Sequence, residues 1–194
     1  NEAYTILLVG HRNHVEIIGT SGEAPEATRI IETVEDAQKV ELLNPEKVVC
    51  LTQTTLSVDD VKRITDVLKQ RFPLLQFPPK EDICYATQNR QNAAKELAKH
   101  AELILVIGSR NSSNSNRLVE VAKEAGAKAH LINDQSEINP EWLDGVKAVG
   151  LTSGASAPDY LVSDVISRLK SLGIADVKEL QVIEENVRFM LPKI

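Results

Sequence analysis

Cysteine is scarce in this chain of 194 residues: Cys50 and Cys84 are the only two. A disulfide-stapled secreted scaffold is thereby excluded. Two thiols also cannot complete a Cys₄ zinc site or hold an iron–sulfur cluster unaided. Long apolar runs are missing too. The longest, such as Leu103–Ile107, are strand-sized, far short of the roughly 20 residues that span a bilayer. A basic excess is absent, since 22 Lys and Arg face 28 Asp and Glu for a net charge of −6. That argues against a general nucleic-acid binder, which needs a basic face, but leaves room for a local anion pocket. The first residues carry no basic start followed by an apolar stretch, so they do not read as a signal peptide. Residue 1 is Asn and a strand pattern begins at Thr5. This suits a trimmed terminus, or a chain that opens in the middle of a larger protein.

What is present is ordinary globular composition, 42% hydrophobic and 26% charged. Short apolar runs alternate with helical periods. Strands are expected at 5–9, 47–51, 74–77, 103–107, 128–132, 147–151 and 177–182. Several are continuous apolar runs, which suits parallel strands covered on both faces. Ser57 reads as an N-cap, with Asp59 and Asp60 in the first turn, Val58, Val61, Ile64 and Leu68 on one face, and Lys69 and Arg71 in the last turn. Further helices are expected over 88–100, over 116–125 with Gly126 as a stop, and from Pro158 to before Gly173. Alternating strands and helices predict a parallel α/β fold.

The chain also repeats itself. Gly10, Arg12 and Asn13 recur as Gly108, Arg110 and Asn111 at a spacing of 98, each set following an apolar run. Leu51, Thr52 and Asp59 recur as Leu151, Thr152 and Asp159 at a spacing of 100. Strand–turn–helix units always look somewhat alike. The shared Gly-x-Arg-Asn nevertheless favours two copies of one α/β module, residues 1–97 and 98–194.

Ligands of parallel α/β sheets bind outside the carboxyl ends of the strands. Four such loops are polar and small: 10–16, 52–55, 108–116 and 152–158. Each leads towards a helix start, where hydroxyls, amides and unpaired N–H groups favour an oxyanion. A phosphate or diphosphate is the natural guess. Any one loop could be ordinary N-capping; equivalent loops in two repeats argue for a site between modules. His14 and Glu16 share one side if their segment is extended, and could bind phosphate and deliver protons. His11 would then face the other way. His100 and His130 read as structural. Cys84 precedes a helix, a position that favours the thiolate as ligand or nucleophile, although most cysteines are buried and inert. Cys50, inside an apolar run, reads as inert.

Together these stretches resemble the LytB/IspH family of 4-hydroxy-3-methylbut-2-enyl diphosphate reductases. The resemblance is carried by Gly10-His11-Arg12-Asn13-His14-Val15-Glu16, by 52–59 (Thr-Gln-Thr-Thr-Leu-Ser-Val-Asp), and by Asp82-Ile83-Cys84-Tyr85-Ala86-Thr87 with Asn89-Arg90-Gln91. The long Ser/Asn motif at 108–118 and Gly154-Ala155-Ser156-Ala157-Pro158 complete it. It implies that Cys84 is one of three thiolates on a [4Fe–4S] cluster whose fourth iron stays open for the substrate alcohol. It implies that His14, Ser112, Ser113, Asn114 and Ser156 bind the diphosphate. Glu16 would lie in the proton path, and Thr54 would orient the substrate hydroxyl and relay the proton. The implied reaction is reductive dehydroxylation to isopentenyl and dimethylallyl diphosphate, the last step of the non-mevalonate isoprenoid pathway. The implied partners are the allylic diphosphate and an electron donor such as ferredoxin or flavodoxin, with no nucleic acid and no membrane, in the bacterial cytoplasm or a plastid.

The family also has an earlier α/β module that supplies two more cluster cysteines and two more diphosphate-binding histidines. Nothing in these residues matches it, so a pseudo-threefold arrangement would lack one sector. One expectation is therefore the two later modules of the reductase, incomplete alone. The alternative is a non-catalytic diphosphate-binding module that has lost the cluster. Dimerisation through the face of the absent module is a third possibility.

Overall fold

Two parallel sheets, each with its own core, organise the chain. The structure is a computed structural model that describes residues 4–80 and 82–182. Strands β1 (Thr5–Val9), β2 (Thr28–Ile31) and β3 (Val48–Thr52) form the first sheet in the order β2-β1-β3. Helices α1 (Val15–Gly22) and α2 (Val34–Lys39) lie between these strands, and α3 (Val58–Arg71) follows β3. Helix α4 (Tyr85–Ala98) leads into the second sheet. There β4 (Leu103–Ile107), β5 (Lys128–Ile132) and β6 (Val149–Ser153) take the order β5-β4-β6, with α5 (Ser113–Glu124) and α6 (Asp159–Ser171) beside them. Two short 3₁₀ turns, Gln135–Glu137 and Pro140–Leu143, join β5 to β6. The fold is α/β with every strand pair parallel.

All five residues of β4 are buried, as its unbroken apolar run requires. Ile104 and Val106 pack with Ala94 of α4 and Leu118, Val121 and Ala122 of α5. Leu103, Leu105 and Ile107 pack on the opposite face with Ile138 and with Val165 and Leu169 of α6. Each such side chain contributes about 1.5–3 kcal/mol on leaving water. In the first sheet, Leu7 and Val9 meet Ile64 and Leu68 of α3. Helix α4 thus completes the core of the second sheet although it precedes β4 in sequence.

The two sheets share one strand order, and their registers can be compared position by position. Thr5 opposes Val48 in the first sheet and Leu103 opposes Val149 in the second. The central strands are therefore offset by 98 residues, but the β3/β6 pair by 101. The longer α5, 12 residues against 8 in α1, accommodates the extra length. Matching Leu51 to Leu151 at a spacing of 100 is consequently one residue out of register. The true counterpart of Leu51 is Thr152, and that of Thr52 is Ser153. A one-residue slip reverses every side chain across a sheet, so the ladder overrides the sequence match.

Other boundaries also moved. The 74–77 run pairs only at Gln76, whose N–H donates to Val48 O (2.9 Å) and whose carbonyl accepts from Cys50 N–H (2.8 Å). Pro73, Pro78 and Pro79 lack the donors needed to extend the ladder. Residues 177–182 form no strand, and Val177, Leu180 and Val182 are exposed. Only Leu180 and Val182 share a face, with Val177 on the other, which is too short an apolar stripe to bury. Strand β2 and helix α2, only 4 and 6 residues long, were missed, and α1 begins at Val15, inside the 10–16 loop expected to lead towards a helix start. Ser57 caps α3 as expected, and Gly126 and Gly173 follow their helices with φ of +96° and +100°.

Candidate functional site

The strand ends of both sheets converge on one set of polar groups. Loop 10–14 leaves β1 as a turn, with His14 N–H donating to His11 O (2.9 Å). It does not stay extended: α1 begins at Val15 and His14 is its N-cap, its Nδ1 accepting from Glu16 N–H (3.3 Å). The common-side geometry expected for His14 and Glu16 therefore does not arise from an extended chain. Helix capping instead holds the imidazole, leaving Nε2 without a partner among the described residues.

Glu16 reaches the end of β3. Its Oε1 accepts from Thr54 N–H (2.8 Å) and its Oε2 from Thr54 Oγ1–H (3.1 Å). Thr54 O accepts from Cys84 N–H (3.2 Å). Glu16, Thr54 and Cys84 are thus brought together from three segments. A cavity of about 160 Å³ opens there, lined in part by Leu8, Glu16, Ile17, Thr54 and Asp82. With its hydrogen on Glu16, the Thr54 oxygen can still accept a hydrogen bond from a substrate hydroxyl.

The Cys84 motif is secured on all sides. Asp82 Oδ2 accepts from Thr52 N–H (2.7 Å). Gln91, buried, accepts from Val58 N–H (3.0 Å) and donates to Leu56 O (2.8 Å), tying α4 to the start of α3. Arg90 donates to Ser153 O (3.0 Å) at the end of β6. Cys84 itself stands at the N-cap of α4 with its side chain exposed. Cys50 is its opposite: burial pushes its thiol up to about 12, so it stays protonated and inert.

The second sheet supplies the Ser/Asn cluster. Helix α5 starts at Ser113, three residues earlier than its apolar period indicates, so Ser113 and Asn114 sit in its first turn. Ser112 is the N-cap. Its Oγ accepts from Ser115 N–H (3.2 Å) and from Ser115 Oγ–H (3.1 Å), so its own proton remains for an outside acceptor. Ser115 is fully buried, and a Cβ on either Gly108 or Gly154 would strike its hydroxyl. Those glycines let β4 and β6 close on the start of α5, and Ser156 lies exposed on the loop after Gly154.

Gln53 joins the two halves. It is fully buried; its Oε1 accepts from His11 N–H (3.1 Å), which places Nε2 against Thr55 Oγ1 (3.0 Å). Thr55 Oγ1 lies 2.9 Å from Ser113 Oγ, and either hydroxyl can donate; when Thr55 donates, the Ser113 proton is left for an outside acceptor. Composition and spacing had not singled out Gln53; only the opposing side chains reveal its part. Asn114 completes the cluster, 8% exposed, with neither Nδ2 nor Oδ1 partnered. His100 bonds Glu96 (3.2 Å) at the surface and His130 stacks on Trp142 (3.9 Å).

A larger cavity of about 630 Å³ lies between α3 and residues 77–83, lined by Val58, Val61, Lys69 and Phe77 among others. None of the Ser/Asn groups lines it.

The fold is parallel α/β, with a cluster of Ser hydroxyls and an Asn amide at the first turn of α5 and a Glu16–Thr54 hydrogen-bonded pair joined through the Thr54 carbonyl to the backbone of Cys84. A sequence profile of the LytB protein family matches residues 1–170, and the chain belongs to that family. The 4-hydroxy-3-methylbut-2-enyl diphosphate reductase of Streptomyces coelicolor is 55% identical over the whole chain, which spans 57% of that relative. The Histophilus somni reductase is 52% identical over 96% of the chain and 60% of its own length. A solved reductase structure from Plasmodium falciparum superposes with a TM-score of 0.83 at 38% identity, covering 87% of this chain and 53% of that one. The chain thus spans less than two thirds of these relatives. Among the described residues no helix is long and apolar enough to cross a membrane.

Proposed function

We propose that this chain carries the diphosphate cradle and the proton-delivering pair of a 4-hydroxy-3-methylbut-2-enyl diphosphate reductase. The observation that carries the reading is Asn114, buried with both side-chain polar atoms unpartnered. A buried amide in that state costs about 1–3 kcal/mol. A diphosphate oxygen at the start of α5 would take its Nδ2–H, together with the hydroxyl protons of Ser112 and Ser113. His14 Nε2 and Ser156 would close the cradle from the neighbouring loops. The positive end of α5 supports the same charge.

The net reaction replaces C–OH by C–H, takes up two electrons and two protons and releases water. With Glu16 protonated, Thr54 would turn its Oγ1–H onto the departing substrate oxygen and take the Glu16 proton in its place, so that the oxygen leaves as water. Electrons would come from an external donor such as ferredoxin or flavodoxin, in the bacterial cytoplasm or a plastid. Cys84 would supply one thiolate to a [4Fe–4S] cluster. Among the described residues no three His, Cys, Asp or Glu side chains come together, so this chain alone does not fit the cluster. The remaining ligands would come from a module outside residues 1–194. Residues 1–97 and 98–194 would be two copies of one module, with α4 of the first copy closing the core of the second.

Calorimetry with inorganic pyrophosphate tests the cradle. Asn114→Ala should weaken binding roughly ten- to hundredfold, the loss of one hydrogen bond to a charged group. Equal affinity in wild type and variant would remove the reading. A module that binds diphosphate but never holds a cluster would behave identically here, and differs only in whether Cys84 acts as an iron ligand.

A further inference from the structure

Arg117 lies one helical turn beyond Ser113 on α5, and only 13% of its side chain is exposed. It reaches across to the first sheet. Its NH1 donates to Asp60 Oδ2 of α3 (3.2 Å) and meets Glu120 Oε2 of its own helix (2.7 Å). Its NH2 lies 3.3 Å from His11 Nε2. A guanidinium only donates, so Nε2 is the acceptor and the ring hydrogen sits on Nδ1, facing Glu32 Oε1 at 3.0 Å. His11 in turn holds the β1–α1 turn at both ends: its N–H donates to Gln53 and its carbonyl accepts from His14 N–H.

We infer that Arg117 is a positioning residue for the diphosphate: through His11 it sets the distance between His14 on one sheet and Ser113 and Asn114 on the other. The role rests on the diphosphate reading above. Two features separate it from direct anion binding. The guanidinium already faces two carboxylates, Asp60 and Glu120, so its charge is largely matched. Its partners also belong to different elements, α3 and the β1–α1 turn, as a brace between sheets requires. Arg63 pairs with Asp60 from its other side, fixing that carboxylate in turn.

The test is pyrophosphate affinity in the protein as the cell makes it, with melting temperature measured alongside. Arg117→Met and His11→Phe should each weaken binding roughly ten- to hundredfold, the scale of misplacing a binding group by up to about 1 Å. The double variant should be no weaker than the worse single one, because both remove the same contact. His11→Gln, whose amide oxygen can take the place of Nε2, should bind within about threefold of wild type, far closer than His11→Phe. That recovery also decides the matter if Arg117→Met fails to fold. Unchanged affinity in Arg117→Met, losses that multiply in the double variant, or no recovery with glutamine would each overturn the role. Asn114→Ala, run beside them, separates the two levels. If it loses affinity while Arg117→Met does not, only the brace fails; if it binds like wild type, the cradle itself is wrong and the brace falls with it.

Discussion

At the residue scale, two buried amides do opposite work. Gln53 has both ends partnered and joins the His11 turn to Thr55 and Ser113. Asn114 has neither end partnered. Their substitutions should therefore differ in sign when no anion is bound. Gln53→Leu strands the His11 backbone N–H and takes one of two partners from the Thr55 hydroxyl, and should lower urea-unfolding stability by about 1–3 kcal/mol. Asn114→Ala removes an unsatisfied group and improves helix propensity, so its stability should equal or exceed wild type. A stability loss in Asn114→Ala similar to that in Gln53→Leu would mean that Asn114 is an ordinary structural amide. The contrast also explains what was legible. Ser112, Ser113 and Asn114 stand in a dense motif and could be picked out from sequence. Arg117 could not, because its partner His11 lies 106 residues away and only the fold opposes them.

Helices were readable where a cap or stop residue does the specifying, and obscure where tertiary contacts do. Ser57, Gly126 and Gly173 announced their helix ends. The start of α5 was hidden because its first turn is made of Ser and Asn, which carry no apolar period even where they are buried. Helix α2 carried a signal that could have been read: Thr33 and Asp36 form a capping box. The Glu32 N–H, foremost, and then the Arg12 guanidinium and Thr33 N–H hold the Asp36 carboxyl below its usual range, against an opposing burial effect. A lowered folded value means that the stabilisation is complete above the unfolded carboxylate value, about 3.9, and is lost as pH falls through the folded one. Asp36→Asn should accordingly cost about 1 kcal/mol near neutrality, the worth of a cap. Chemical unfolding of both proteins from pH 7 to 2.5 should show the difference shrinking below about pH 4. A gap that stays constant across that range would show that the charge has no part in it.

At the scale of the whole molecule, the Gly-x-Arg-Asn match falls after the central strand of each of two sheets of like strand order, but the offset between the sheets could not be read from it. Insertions in loops and helices leave a sheet intact, so the offset changes from 98 to 101 between the central and outer strands. The ladder alone records this. One exposed thiol, Cys84, then stands on a residue whose backbone N–H is bonded to Thr54, the partner of Glu16. The second thiol cannot help, because Cys50 lies inside the first core, fully buried and held protonated. Moving it to the site would empty the space among Leu7, Val9, Ile64 and Leu68 that it helps fill, a cavity cost on the order of 1–3 kcal/mol with no ligand geometry gained. A cluster held by three thiolates therefore needs two from outside residues 1–194. Anaerobic reconstitution of this polypeptide with iron and sulfide should leave it without a stable [4Fe–4S] chromophore, while its pyrophosphate binding persists. Stoichiometric iron and sulfide retained by residues 1–194 through gel filtration, with loss on Cys84→Ser, would show instead that these two sheets assemble a complete centre by themselves.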